Sequence, residues 1–321
     1  MHALLVTAIA ASGVILAGSA AAVAGATTLF RKVIPRQDGV RVDLNEMADM
    51  EKWEEYKKII HPNKEWLMQR KREHVTIQAR DGLTLHGDYF PADTPTDKLL
   101  IGFHGYTSCA LSDCASIASF FLKQGYDCLL VDHRAHGNSE GKYIGFGVLD
   151  RYDCLSWVEY VNQRFARKKQ IILYGVSMGG ATVLMAMGLP TFPDTVKAVI
   201  ADCAFTSPYD VFSHILKRDY KLPAFPVMNI NNTLCRKKAG YGFQDCSTLT
   251  AVKEAKCPVL FIHGKEDNFV PTWMSEANYQ ACTAPKSLLL VEHAGHGASY
   301  YENSSLYEKT VTDFIHQYVF Q

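Results

Sequence analysis

Short apolar, β-branched runs alternate with segments of helical spacing through most of this chain, and that alternation constrains its fold more than any other feature. Strands are expected at Leu99–Phe103, Tyr126–Val131, Ile171–Tyr174, Val196–Ile200, Val259–Ile262 and Leu288–Val291. Helical patterns fall at Ser112–Lys123, Val148–Phe165, Ala181–Met187, Trp273–Ala281 and Leu306–Phe320. Strands that read as near-continuous apolar runs are buried on both faces, so the expectation is an α/β protein with a mostly parallel central sheet and helices on both faces. Val75–Ala79 and Leu83–Phe90, joined through Asp81-Gly82, read as an antiparallel hairpin ahead of it.

At the centre of the series stands Gly175-Val176-Ser177-Met178-Gly179, between a strand and a helix. That is the context a G-x-S-x-G nucleophile elbow requires, with the glycines leaving room for a sharp backbone turn that lifts the Ser177 hydroxyl clear of the sheet. The bare pentapeptide is weak, since small residues crowd many strand-to-helix turns. Its partners decide its meaning. In a parallel sheet the site lies outside the carboxyl ends of the strands, so the loops following strands are the places to look.

After Leu260-Phe261-Ile262 comes His263-Gly264-Lys265-Glu266-Asp267, and after Leu288–Val291 comes Glu292-His293-Ala294-Gly295-His296-Gly297. A serine hydroxyl is a poor nucleophile near neutral pH unless an imidazole takes its proton, and a carboxylate on the far ring nitrogen sets the tautomer. Ser177, Asp267 and His296 follow the order serine, acid, base. His296 is preferred to His293 for its flanking glycines, with His293 read as structural. Asp267 is preferred to Glu266, which is read as solvated. An oxyanion hole would combine the N–H of Met178 with that of Tyr106, in the Gly102-Phe103-His104-Gly105-Tyr106 loop. Tyr106 is also the candidate substrate-contacting residue, and His104 is read as holding its loop in shape.

Other chemistries are excluded or left without support. Acidic and basic residues number 33 each, with no basic stripe, so no nucleic-acid partner is expected. The nine cysteines are scattered, from Cys109 to Cys282, without a C-x-x-C pair, which suits free thiols better than a disulfide framework or a zinc site. Gly137-Asn138-Ser139-Glu140-Gly141-Lys142 fails the phosphate-loop spacing, and Gly145-Phe146-Gly147 lacks the third glycine of a dinucleotide fingerprint. No cofactor and no metal are implied.

At the amino terminus, Ala3–Phe30 carries no charge, enough helix to cross a bilayer, and Arg31, Lys32 and Arg36 follow it. Residues 1–30 are therefore expected to be a transmembrane anchor or signal. The positive flank places the catalytic domain in the cytoplasm, a cleaved signal and a secreted protein being the alternative. Residues 31–74 read as a linker, around Val33–Val42, and an amphipathic helix over Asp43–Ile60 that packs on the domain. The catalytic domain takes 75–321, and its irregular, proline-marked segment 206–256 is expected to be a short cap or lid.

His104-Gly105, Asp132-His133-Arg134-Ala135-His136-Gly137-Asn138-Ser139, Gly175–Gly179, His263-Gly264 with Asp267 and Val270-Pro271, and Gly295-His296 stand in the order of the α/β-hydrolase landmarks. From about Val75 to its end the chain resembles that superfamily. Within it the chain is similar to the bacterial membrane-anchored YqkD-type hydrolases, which are related to prolyl-oligopeptidase-like serine peptidases. The resemblance implies an α/β-hydrolase fold, Ser177 as nucleophile, Asp267 as acid and His296 as base, with Asp132 and Arg134 structural. It departs from members with large substrates, which carry a long helical cap or a propeller. The activity implied is cleavage of a carboxylic ester through an acyl-enzyme, on a small-molecule ester or short peptide. Peptidase, thioesterase and acyltransferase share the same residues, and a membrane-tethered binding scaffold is the non-enzymatic reading. Oligomeric state leaves no trace in the sequence.

Overall fold

The computed structural model describes residues 23–37 and 50–319. One sheet of eight strands runs through the molecule: β1 (Glu73–Gln78), β2 (Thr84–Phe90), β3 (Lys98–Phe103), β4 (Asp127–Val131), β5 (Gln170–Val176), β6 (Val196–Asp202), β7 (Val259–Gly264) and β8 (Lys286–Val291). Their spatial order is β1-β2-β4-β3-β5-β6-β7-β8. The hairpin pairs antiparallel and β2 joins β4 antiparallel, while every other pairing is parallel. The expected mostly parallel sheet is thus present, with the hairpin as its antiparallel edge.

Period two along the strands sorts their side chains into two cores. Leu100, Ile172, Tyr174, Leu260 and Ile262 face one layer, with α2 (Met50–Met68), α4 (Ala115–Lys123) and α11 (Ser304–Tyr318). Leu99, Ile101, Ile171, Leu173, Val259 and Phe261 face the other, with α5 (Asp150–Arg164), α6 (Met178–Met187) and α10 (Trp273–Ala281) alongside. Each fully buried leucine or isoleucine contributes about 1.5–3 kcal/mol by leaving water, so a register slip in a central strand would expose an entire layer.

Three local expectations are revised. The helix expected over Ser112–Lys123 is two, α3 (Ala110–Asp113) and α4, parted at Cys114. The break accompanies the engagement of the Asp113 carboxylate by the Gly105 N–H at 2.8 Å and by the Ser108 hydroxyl. Helix α2 does not stop at Ile60. It runs through Pro62 to Met68, because Leu67 is wholly buried in the α4 layer and Ser119 Oγ donates to Asn63 O at 3.0 Å. Residues 43–49 of that expected helix lie outside the described residues. The segment 206–256 is more ordered than its prolines suggest, forming α7 (Pro208–Tyr220), α8 (Val227–Ala239) and the short α9 (Thr248–Ala251). Ser207 caps α7 by accepting from the Asp210 N–H, and Pro208 sits in the first turn, where its missing N–H costs nothing.

At the amino terminus α1 spans residues 23–33. No helix among the described residues is long and apolar enough to cross a membrane, and residues 3–22 of the expected span lie outside them. Ala26 and Phe30, at the end of the expected span, are buried in the cluster that also holds Phe146, Met178 and Met228 of the catalytic domain. The expected linker also begins as a docked segment. Pro35 pairs antiparallel with Tyr143, and Arg36 N–H donates to Lys142 O at 2.9 Å. All nine cysteines are free thiols.

Candidate active site

The elbow connects β5 to α6 at a residue that most side chains avoid. Ser177 has φ 55° and ψ −113°, and its N–H is held by Asp202 O at 2.8 Å. Strain of this kind persists only where neighbours impose it. Here the two glycines do so by letting backbones touch: a Cβ at Gly175 would lie 2.2 Å from Gly179 O, and one at Gly179 would lie 2.2 Å from Phe103 O. The G-x-S-x-G spacing is thus a packing requirement of the elbow on β3 and on itself.

Three loops converge on Ser177. His296 Nε2 lies 2.9 Å from Ser177 Oγ, and His296 Nδ1 lies 2.7 Å from Asp267 Oδ2. All three expected residues therefore meet in one hydrogen-bonded chain. The His296 side chain is 9% exposed and that of Asp267 is fully buried, so the chain is shielded from water. A partner sequence reasoning missed is His263, whose Nε2 lies 3.1 Å from the same Oδ2 and 2.8 Å from Val270 O. Asp267 Oδ1 accepts from the N–H groups of Phe269 and Val270 at 2.9 and 2.8 Å. Burial alone would raise this carboxyl, but His296 and the hydrogen bonds from both imidazoles outweigh it and hold Asp267 well below the usual carboxylate range. It is an ionised acceptor held on four sides.

His293 and Glu266, the residues set aside, lie outside the chain. They pair with each other at 2.9 Å on the surface, where His293 is 72% exposed, so His293 is a surface residue and not the structural one expected.

The oxyanion loop follows β3. Among the described residues the N–H groups of Tyr106 and Met178 have no acceptor within the protein, which leaves both available to a ligand. For Met178 this follows from its place in the first turn of α6. Behind the loop stand three buried imidazoles, His104, His133 and His136, with ring centroids 4.8–6.2 Å apart. His104 Nδ1 donates to Gly105 O at 2.6 Å and its Nε2 accepts from the His133 N–H at 3.0 Å. Burial, and then its two imidazole neighbours, push His104 far below the usual histidine range. A neutral ring with both nitrogens committed holds the loop in shape and is no base. His136 is likewise pushed down to about 4, chiefly by burial, and its Nε2 accepts from the Thr107 N–H. Asp132 and Arg134 brace the same region: Asp132 accepts from the Ala110 and Asn138 N–H groups, and Arg134 pairs with Asp153 and Asp81.

Tyr106 reaches the amino-terminal segment. Its hydroxyl donates to Val33 O at 3.0 Å and its ring packs on Phe146 at 5.1 Å. A Tyr106→Phe variant is expected to lose about 1 kcal/mol of stability through that bond, read as a lower urea midpoint with an unchanged m-value.

Beside the chain, Cys203, Asp267 and His296 each offer an atom within 4.8 Å of the others. Burial raises the Cys203 thiol well above its ordinary range, and the other two donors are already bonded to each other, so a cation there would have to dismantle the chain. Asp202, at the end of β6, is pushed up to about 6 by burial, against the His263 charge and a hydrogen bond from Tyr307. An acid raised in the folded state contributes stability that is present below its unfolded value, about 3.9, and lost as pH rises through about 6. Asp202→Asn should therefore change Tm more favourably at pH 8 than at pH 4, and equal changes would contradict a charge buried at cost.

A hollow of about 700 Å³ lined by Arg70, Asp93, Thr96, Asp127 and Lys169 lies at the amino ends of the parallel strands. Ser177, Asp267 and His296 are not among its lining residues.

The model of the prolyl oligopeptidase family matches residues 115–320. The uncharacterized protein YqkD of Bacillus subtilis (strain 168) is 32% identical over 225 residues, covering 70% of this chain and 72% of that one. The chain belongs to the prolyl oligopeptidase family. It is an α/β-hydrolase-fold member of that family, related to its serine hydrolases. The fold is also similar to that of the Pyrococcus furiosus esterase Pf2001, with a TM-score of 0.63 at 22% identity over 78% of this chain and 92% of that one. A Pyrococcus horikoshii acylaminoacyl peptidase aligns with a TM-score of 0.60 at 18% identity, over 80% of this chain and 43% of that one. The family match begins at Ala115, so α1, α2 and the hairpin lie ahead of the matched region.

Proposed function

We propose that this protein is a serine hydrolase that cleaves a carboxylic ester through an acyl-enzyme on Ser177. The observation that carries the reading is the continuous chain Ser177 Oγ–His296 Nε2 at 2.9 Å and His296 Nδ1–Asp267 Oδ2 at 2.7 Å. As Ser177 Oγ bonds to the acyl carbon, its proton passes to His296 Nε2 and the carbonyl oxygen takes the negative charge towards the N–H groups of Tyr106 and Met178. Collapse of the tetrahedral species breaks the ester bond, and the leaving alkoxide takes the proton from Nε2. Water then repeats the cycle on the acyl-enzyme, with His296 again as base. Asp267, ionised and immobile, keeps Nδ1 protonated and stabilises the imidazolium.

An ester is favoured over a peptide by extent: the chain covers nearly all of the Pf2001 esterase but less than half of the acylaminoacyl peptidase. The family's peptidase membership favours the second reading, in which the leaving group is an amine and the same residues act. For location, we read the uncharged stretch that begins at Ala3 and runs to Phe30, followed by Arg31 and Lys32, as a membrane anchor ahead of its docked carboxyl end, with the catalytic domain on the cytoplasmic side. A panel of p-nitrophenyl esters of graded acyl length, run beside aminoacyl p-nitroanilides, tests the substrate class. Esters are expected to exceed anilides in kcat/KM by about 100-fold or more, beyond the difference in their intrinsic reactivity. Preference for the anilides assigns the peptidase reading instead.

A further inference from the structure

The turn between cap helices α7 and α8 exposes three large apolar side chains within six residues: Tyr220 is 50% exposed, Leu222 46% and Phe225 72%. Other exposed large apolar residues, such as Met68, Trp273 and Leu306, belong to separate elements. Residues 217–226 also carry Lys217, Arg218 and Lys221 against the single acid Asp219, a net charge of +2 from three positive and one negative group. Arg218 pairs with Asp219, which leaves the charges of Lys217 and Lys221, both exposed, without a carboxylate partner among the described residues, Lys221 Nζ donating to Arg218 O at 2.7 Å. Pro223 and Pro226 limit how far the turn can fold its apolar residues back.

Aromatic and apolar side chains set among lysines match the headgroup–acyl boundary of an anionic bilayer, which takes the rings and attracts the charge. Two further observations give this surface its occupant. Helix α1, whose first part lies in the uncharged run Ala3–Phe30, buries Phe30, and Ile34 just after it, in the same cluster as Leu216 and Met228 of the cap. The amino-terminal segment is thus docked in the cluster to which the cap contributes. From the cap, Phe212 packs on Phe146 at 4.8 Å and Phe146 on Tyr106 at 5.1 Å, an apolar path from this helix pair to the oxyanion loop.

We propose that residues 217–226 form a membrane-contact surface, inserting Tyr220, Leu222 and Phe225 into the interface of an anionic bilayer and holding the active-site mouth at its surface. On the serine-hydrolase reading above, the substrates suited to this placement are amphiphilic acyl esters taken from the membrane.

The test uses the full-length chain reconstituted in vesicles of phosphatidylcholine with phosphatidylglycerol, with Phe225→Trp and Met68→Trp compared after subtracting the wild-type tryptophan signal. Met68 ends α2, beside the hollow at the opposite end of the sheet. Lipids brominated near the top of the acyl chain are expected to quench Phe225→Trp by about half and to leave Met68→Trp nearly unchanged. Adding Lys217→Glu and Lys221→Glu should reduce that quenching, as should high salt. Unquenched Phe225→Trp, or equal quenching at both positions, overturns the proposal. So does burial of the tip by a second copy, seen as Phe225→Trp shielded from both lipid and aqueous quenchers. Because the readout is fluorescence, the same result is expected in a Ser177→Ala background, and failure of the hydrolase reading would leave it standing.

Discussion

Ser177→Ala is expected to lower kcat/KM on an activated ester by about 10⁴-fold or more, with near-ultraviolet circular dichroism unchanged. The size follows from the arrangement. The hydroxyl is the only atom of the chain that would bond to the acyl carbon, and its removal leaves only the oxyanion donors and substrate binding to stabilise the transition state. Structure should survive, since the elbow is imposed by Gly175 and Gly179 and by the Ser177 N–H on Asp202 O, none of which the substitution touches. Activity retained within about tenfold would mean that another nucleophile or water carries the reaction.

Asp267→Asn is expected to lower kcat by about 10³–10⁴-fold with a smaller change in KM. An amide nitrogen turned towards His296 would meet a protonated Nδ1, so the ring must either lose that partner or take the tautomer that places its proton on Nε2, against Ser177. The cost extends to His263, which shares Oδ2. It also has a pH signature. Asp267 is depressed in the folded state, so its contribution to stability is present above the unfolded value, about 3.9, and is lost as pH falls through its folded value. The variant should therefore be destabilised at pH 7 and draw closer to wild type towards pH 3, measured as the difference in Tm. A difference that does not shrink on acidification would contradict an ionised, hydrogen-bonded Asp267.

The features that were legible in the sequence are those carried by local period or by topology. Ile171–Tyr174 and Leu260–Ile262 announced strands by composition, and the rule that loops after parallel strands form the site led from there to Asp267 and His296. Contacts made at long range left no such mark. Nothing near Asp113 in sequence says that its carboxylate will hold Gly105, and nothing near Val33 says that its carbonyl will receive the Tyr106 hydroxyl. His263 stood in view at the end of β7, yet its grip on Asp267 depends on how the loop folds back. The cap is a different case. Ser207-Pro208-Tyr209-Asp210 is a local helix-start signal, obscured because Pro208, Pro223 and Pro226 together read as a break, whereas the first lies in a helix's opening turn and the others bound the turn before α8. For α2, packing of Leu67 overrides the local preference of Pro62 to end a helix.

The docked amino-terminal segment changes the picture of the molecule more than any single residue. Arg36 donates to Ser139 O and Gly137 O at 2.5 and 2.6 Å, Ile144 N–H donates to Ile34 O, and Lys52 reaches His293 O at 2.8 Å. The stretch expected to be a linker and the helix expected to pack on the domain therefore grip the loops on both sides of the site, one near Tyr106 and the other at the loop that carries His296.

The most direct test of the central claim, that His296 activates Ser177 as a nucleophile, is labelling by a fluorophosphonate followed by peptide mass mapping. The geometry predicts one adduct, on Ser177, formed at least about 100-fold more slowly in His296→Ala. An adduct elsewhere, or equal labelling rates in wild type and His296→Ala, would contradict it.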